Sequence, residues 1–248
     1  MSQLETLLNE LVIGNRILSH ENVADAYGHI SVRHPENPAR FFMSRSLAPE
    51  LVERTDIMEF DLDGAVIGDD KRSPYLERFI HAGIFQARPD VQSVVHAHAE
   101  DILPFGISEV PLRPVIHSGS FIGKNVPVWD IADKFGDTDL LVRNVQQGRD
   151  LAACLGNNNV ALMRGHGFAA AAQSVIEVVR LSVYLPRNAR IQLAAMRLGK
   201  IKPLSEGEIG ARGSGTYKPY SDSTWRAWQY WANRAGCGHM IGDQPKNV

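Results

Sequence analysis

At 248 residues, 44% apolar and 22% charged, the chain can bury one sizeable core, and a single domain accounts for it better than two. A formal charge of −2 with no Lys/Arg-rich run excludes nucleic acid as the main partner, and apolar stretches well short of the roughly 20 residues of a membrane span exclude a membrane protein. Cys154 and Cys237 lack motif spacing, and the start Met1-Ser2-Gln3-Leu4-Glu5 has no basic region or long apolar core, so the expectation is a reduced, cytoplasmic chain without a signal peptide.

Leu4, Leu7, Leu8 and Leu11 recur at helical spacing and predict an amphipathic helix to about residue 19. Strands are predicted at Ile30 to Arg33, Phe41 to Met43, Ile57 to Asp61 and Ala65 to Ile67, the last two joined by the turn signal Asp63-Gly64. A helix from Tyr75 to Arg88 ends at Pro89-Asp90 and leads into a strand from Val91 to His98. Then come a helix near Asp101 to Phe105, extended pieces at Val115-Ile116 and Val126 to Val128, a helix from Asn144 to Leu155, a strand from Val160 to Met163 and the run Phe168 to Ala171. From Ser174 a long helix runs to about Leu198, interrupted at Pro186. The tail after Pro203 carries Gly210, Gly213 and Gly215 in a polar loop, then a helix on which Trp225, Trp228 and Trp231 share a face, either against the parent core or against a neighbouring subunit. This alternation of short strands and helices favours an α/β fold over a bundle.

The chemistry concentrates in Val95-His96-Ala97-His98. Alternate strand residues face the same way, so His-x-His aims two imidazoles at one point. Two satisfied strand-end histidines would give the same pattern, but a third imidazole, His166, stands between Gly165 and Gly167 after an apolar strand. Glycines on both sides imply a tight turn or a close approach. Three neutral imidazoles suit zinc, manganese, iron or cobalt and leave positions open, as a catalytic site requires. Glu77, at the start of the preceding helix, is either a general acid/base folded back on the histidines or a first-turn acid favoured by the helix dipole. His81, one turn later, either faces the site or packs.

In order, Tyr27-Gly28-His29-Ile30-Ser31-Val32-Arg33, Glu77-Arg78-Phe79, Arg88-Pro89-Asp90, Val95-His96-Ala97-His98 and Gly165-His166-Gly167 resemble the class II aldolase/adducin family over about residues 5 to 200. The resemblance implies one divalent metal ion per chain (Zn2+, Mn2+, Fe2+ or Co2+) on His96, His98 and His166, with Glu77 as acid/base. It also implies a three-layer α/β/α fold with a central, mainly antiparallel sheet, assembled as a homotetramer with active sites at subunit interfaces. One domain spans 1–248, with 203–248 a C-terminal extension at such an interface.

The departures from the family's sugar-phosphate aldolases set the expected substrate. Those enzymes carry Gly-Asn-x-Ser, a Thr-Gly loop and a Ser-Ser pair around the substrate phosphate; here the Asn is His29, the loop reads Met43-Ser44-Arg45-Ser46, and Tyr75 and Leu76 precede Glu77. An imidazole and a guanidinium suit a planar carboxylate. The resemblance therefore points to the branch of metal-dependent decarboxylases acting on hydroxylated aromatic or pyridine dicarboxylates, lyases that bind a small carboxylate. Substrate contacts are expected from His29, Arg45, Ser46 and His117, and from Arg212 and Tyr217 reaching across an interface. A class II aldolase acting on a non-phosphorylated substrate and a non-catalytic adducin-like interaction module are the alternatives.

Overall fold

Seven strands form one sheet: β1 (His29–Arg33), β2 (Arg40–Ser44), β3 (Ile57–Asp61), β4 (Ser93–Ala97), β5 (Val128–Trp129), β6 (Val160–Met163) and β7 (Gly167–Ala172). Their spatial order is β3-β2-β1-β4-β7-β6-β5, and every neighbouring pair is antiparallel except β5 with β6. This computed structural model describes residues 2–213 and 220–244, the side chains of 212 and 213 excepted. Its helices are α1 (Gln3–His20), α2 (Arg78–Ala87), α3 (Leu103–Gly106), α4 (Ala132–Phe135), α5 (Val145–Leu155), α6 (Val175–Leu198), α7 (Glu206–Gly213) and α8 (Asp222–Arg234). Among the described residues no helix is long and apolar enough to cross a membrane.

Both faces of the sheet are covered. Ile30, Val32, Val95, Ala97, Phe168 and Ala170 join Leu11, Ile17, Val179, Leu185 and Trp228 in one core, beneath α1, α6 and α8. The intervening strand residues, including Phe41, Met43, Val94, Met163 and Ala169, join Ile80, Phe85 and Leu151 in a second core beneath α2 and α5. Strand alternation divides the two sets. The outcome is the three-layer α/β/α fold expected from the sequence.

The α2/α5 layer positions the site, and two glycines let it form. A methyl on Gly148 would lie 2.0 Å from the Phe79 carbonyl oxygen, and one on Gly83 would lie 2.3 Å from the Gly148 carbonyl carbon. Only hydrogen fits at that crossing. The C-terminal end of α2 is held by the buried Arg33, which donates to the carbonyls of Phe85 at 2.8 Å, Arg88 at 3.0 Å and Val91 at 3.0 Å.

Several elements differ from the sequence reading. Helix α2 starts at Arg78, with Glu77 as its N-cap, because the ring of Tyr75 is drawn down onto His29, with centroids 4.5 Å apart. The Ala65 to Ile67 arm is an isolated bridge, Phe60 to Val66, after the Asp63-Gly64 turn. Val115 joins no strand; its N–H donates to Asn188 Oδ1 at 2.8 Å. Gly210 and Gly213 lie in α7, where a loop was expected. Ser205 and Glu208 cap that helix reciprocally, Glu208 N–H to Ser205 Oγ at 3.1 Å and Ser205 N–H to Glu208 Oε2 at 2.7 Å. Trp225, Trp228 and Trp231 are buried against α1 and α6 in the chain's own core.

Candidate metal centre

Three elements bring four side chains to one point. His96 is the penultimate residue of the buried strand β4, His98 follows the strand, His166 sits in the β6–β7 turn and Glu77 is the N-cap residue of α2; a nitrogen or carboxylate oxygen from each lies within 4.8 Å of all the others. His96 Nε2 is 2.9 Å from His98 Nε2, and Glu77 Oε2 is 3.5 Å from Nε2 of both His96 and His166. The turn depends on its glycines. Gly165 has φ +64°, and a methyl on Gly167 would lie 2.3 Å from the Ala97 carbonyl oxygen and 2.9 Å from His98 Cδ2.

The supporting contacts set the chemical state of the cluster. His96 Nδ1 lies 3.0 Å from the Phe168 carbonyl, which can only accept, so Nδ1 carries the proton and the Nε2 lone pair faces the centre. Glu77 Oε1 accepts the Val142 N–H at 2.9 Å, leaving Oε2 toward the histidines. Burial pushes the Glu77 carboxyl up, but hydrogen bonds with His166 and His96, and their charges, outweigh it and hold it well below the usual carboxylate range. Burial, with repulsion from His96 and His166, pushes His98 down to about 4. Imidazole lone pairs and a carboxylate packed this closely, with at least one nitrogen barred from carrying a proton, are a donor set that fits a divalent cation. An open cleft of about 1020 Å³ reaches the cluster at His98 and is also lined by Asp25, Glu50, Asp101 and Arg190.

The other expected residues are distributed unevenly. His29 stands opposite His96 in the β1–β4 register, 4% exposed, with ring centroids 5.1 Å apart. Burial, then repulsion from His81 and His96, lowers its pKa well below the ordinary value. Arg45 donates from Nε to Asp56 Oδ1 at 2.7 Å and bridges to Pro74, one residue before the Tyr75 that packs on His29. Ser46 is exposed in the same loop and bonds through its N–H to the Ser73 carbonyl at 2.8 Å. His117 is exposed at the start of a 3-10 helix, His117–Ile122, that packs on α6, in the layer across the sheet from Glu77. The Arg212 side chain and all of Tyr217 lie outside the described residues. Sequence reasoning missed Val142, whose contribution is a backbone N–H, and Ser31, whose Oγ lies 2.6 Å from His81 Nδ1. The alternation His29-x-Ser31 was the available signal for the latter.

Comparison with known proteins identifies the family. The family model "Class II Aldolase and Adducin N-terminal domain" matches residues 9–193. Decarboxylase tropJ of Talaromyces stipitatus is 38% identical, over 92% of this chain and 94% of that one. The 3,4-dihydroxyphthalate decarboxylase of Arthrobacter keyseri is 29% identical, over 80% and 83%. Among solved structures, an aldolase II superfamily protein from Pseudomonas syringae superposes with a TM-score of 0.78 at 21% identity, covering 97% of this chain and 98% of that one. The chain is thus a lyase and belongs to the class II aldolase and adducin family.

Proposed function

We propose that this chain is a metal-dependent decarboxylase of a hydroxylated aromatic or heteroaromatic carboxylate, working as a cytoplasmic homotetramer with one divalent ion per chain. The observation that carries the reading is the convergence of His96, His98, His166 and Glu77 in a chain whose relatives at 38% and 29% identity are named decarboxylases. The replacement of a phosphate cradle by His29 and Arg45 fits a carboxylate substrate.

His96, His98 and His166 would hold the ion, which supplies Lewis acidity for negative charge on a substrate oxygen. Glu77, ionised and pinned through Oε1 by Val142, takes the proton of the substrate's phenolic hydroxyl on Oε2. It then delivers that proton to the ring carbon bearing the carboxylate. The carbon–carbon bond breaks, carbon dioxide leaves, its bonding pair restores the ring, and the product phenolate regains a proton from solvent. Arg45, whose terminal nitrogens have no partner among the described residues, and His29 orient a second carboxylate. Ser46, with Arg212 and Tyr217 of a neighbouring subunit, completes the proposed substrate contacts; His117, in the layer across the sheet from Glu77, is left out of them.

The test is metal content together with carbon dioxide release from 3,4-dihydroxyphthalate and related hydroxyaromatic acids. About one divalent ion per chain and evolved carbon dioxide are expected, both lost in His96→Ala. Bound metal with aldehyde released from a non-phosphorylated aldol, and no carbon dioxide, would transfer the reading to an aldolase. A metal-free protein would point to an interaction module.

A further inference from the structure

Beneath the metal centre a second polar chain runs through the α2-side core. Ser31 Oγ lies 2.6 Å from His81 Nδ1, and His81 Nε2 lies 2.7 Å from His29 Nδ1. Ser31 and His81 are fully buried and His29 is 4% exposed, so these bonds are shielded from bulk solvent. The chain can be protonated in two directions, and hydrogen-bond satisfaction separates them. If His29 Nδ1 donated to His81 Nε2, His81 Nδ1 would donate to Ser31 Oγ, and the serine hydroxyl would be left with its proton aimed at no acceptor among the described residues. A buried donor without a partner is the costly outcome. In the other direction the Ser31 hydroxyl donates to His81 Nδ1 and His81 Nε2–H donates to His29 Nδ1, so no proton is stranded at the buried serine and the one N–H left over is on His29, beside His96. His29 is then left with its proton on Nε2.

We propose that Ser31 and His81 are positioning residues that lock His29 as a hydrogen-bond donor through Nε2, so that the site takes an anionic oxygen of its ligand there and discriminates against a donor group. His29 has no free lone pair in this arrangement and does not act as a base. The identification of that oxygen as a substrate carboxylate rests on the decarboxylase reading; the direction of the chain does not.

Neutron diffraction from deuterium-exchanged, zinc-loaded crystals reads the direction without activity. Deuterium on His29 Nε2 and His81 Nε2, with both Nδ1 atoms bare, is expected. Deuterium on His29 Nδ1 overturns the proposal, whatever the reaction proves to be. Calorimetric titration with phthalate reads the consequence. Ser31→Ala, which removes the only donor to His81 Nδ1 among the described residues, is expected to weaken phthalate binding about 10- to 100-fold with metal content unchanged. His81→Phe, filling the same volume without ring nitrogens, should do the same. Wild-type phthalate affinity in both variants overturns the positioning role. Phthalate binding to neither wild type nor variants would count against the carboxylate reading, with the deuterium positions still deciding the lock.

Discussion

Glu77 and Glu10 are equally hidden, at 7% and 6% exposure, yet their surroundings drive them in opposite directions. Glu77 sits where three elements meet, with a backbone N–H on one oxygen and two imidazoles near the other, and is held charged. Glu10 lies on α1 beside Trp225, Trp228 and Met240 around a cavity of about 20 Å³, and its Oε2 has no hydrogen-bond partner among the described residues. Desolvation alone pushes it up to about 8. Burial does not decide the state of a carboxyl; the number of donors reaching it does. One region is arranged to use a charge, the other to cover an apolar seam.

The largest effect expected on that contrast comes from Glu77→Gln. The amide keeps the shape but not the charge, so the histidines still bind metal while turnover falls about 10²- to 10⁴-fold. Single-turnover carbon dioxide release alongside metal content measures both. Retained turnover would remove Glu77 from the proton path and reduce it to a structural partner of His96 and His166.

Trp228→Ala tests the other region. The indole is 1% exposed, and deleting it should cost about 3–5 kcal/mol in urea unfolding while each folded chain keeps its metal and turnover. Loss of metal in proportion to loss of stability would mean that the C-terminal seam and the centre form one cooperative unit rather than two separable regions.

How much of the molecule is legible in its sequence varies with the kind of interaction. The histidines were legible because strand alternation places His96 and His98 on one side without any knowledge of the rest of the fold, and the Gly165 and Gly167 flanks announced the turn at His166. The layers followed from alternating strands and helices. Val142 was invisible, since every residue but proline owns a backbone N–H and only folding selects one. The partnership of Ser31 with His81 was half visible. His29 and Ser31 share a strand face, and Glu77 and His81 lie four residues apart at the start of α2, but only the folded chain brings the two sets together. Gly210, Gly213 and Gly215 read as a polar loop, whereas Ser205-x-x-Glu208 carries a helix-start signal that α7 uses. The tryptophan spacing predicted the helix but not the surface it covers, because an apolar face fits the chain's own core or a neighbour equally well.

The smallest effect is the most specific to the contrast. In the unfolded chain the Glu10 carboxyl titrates near its ordinary 4.5, and in the folded protein near 8. Between those values the folded protein keeps a proton that the unfolded chain has released, so this group's contribution to stability is full below about pH 4.5, declines as pH rises, and levels off above about 8. A glutamine has no proton to surrender. The stability of Glu10→Gln minus that of wild type should therefore climb steadily from pH 5 to pH 8, by a few kcal/mol in all, because each tenfold difference in proton affinity between the folded and unfolded chain is worth roughly 1.4 kcal/mol. Chemical unfolding of both proteins at a series of pH values gives that difference directly and cancels the titration of every shared group. A flat difference would mean that Glu10 is charged and partnered in the folded state, and that the two buried carboxyls are alike after all.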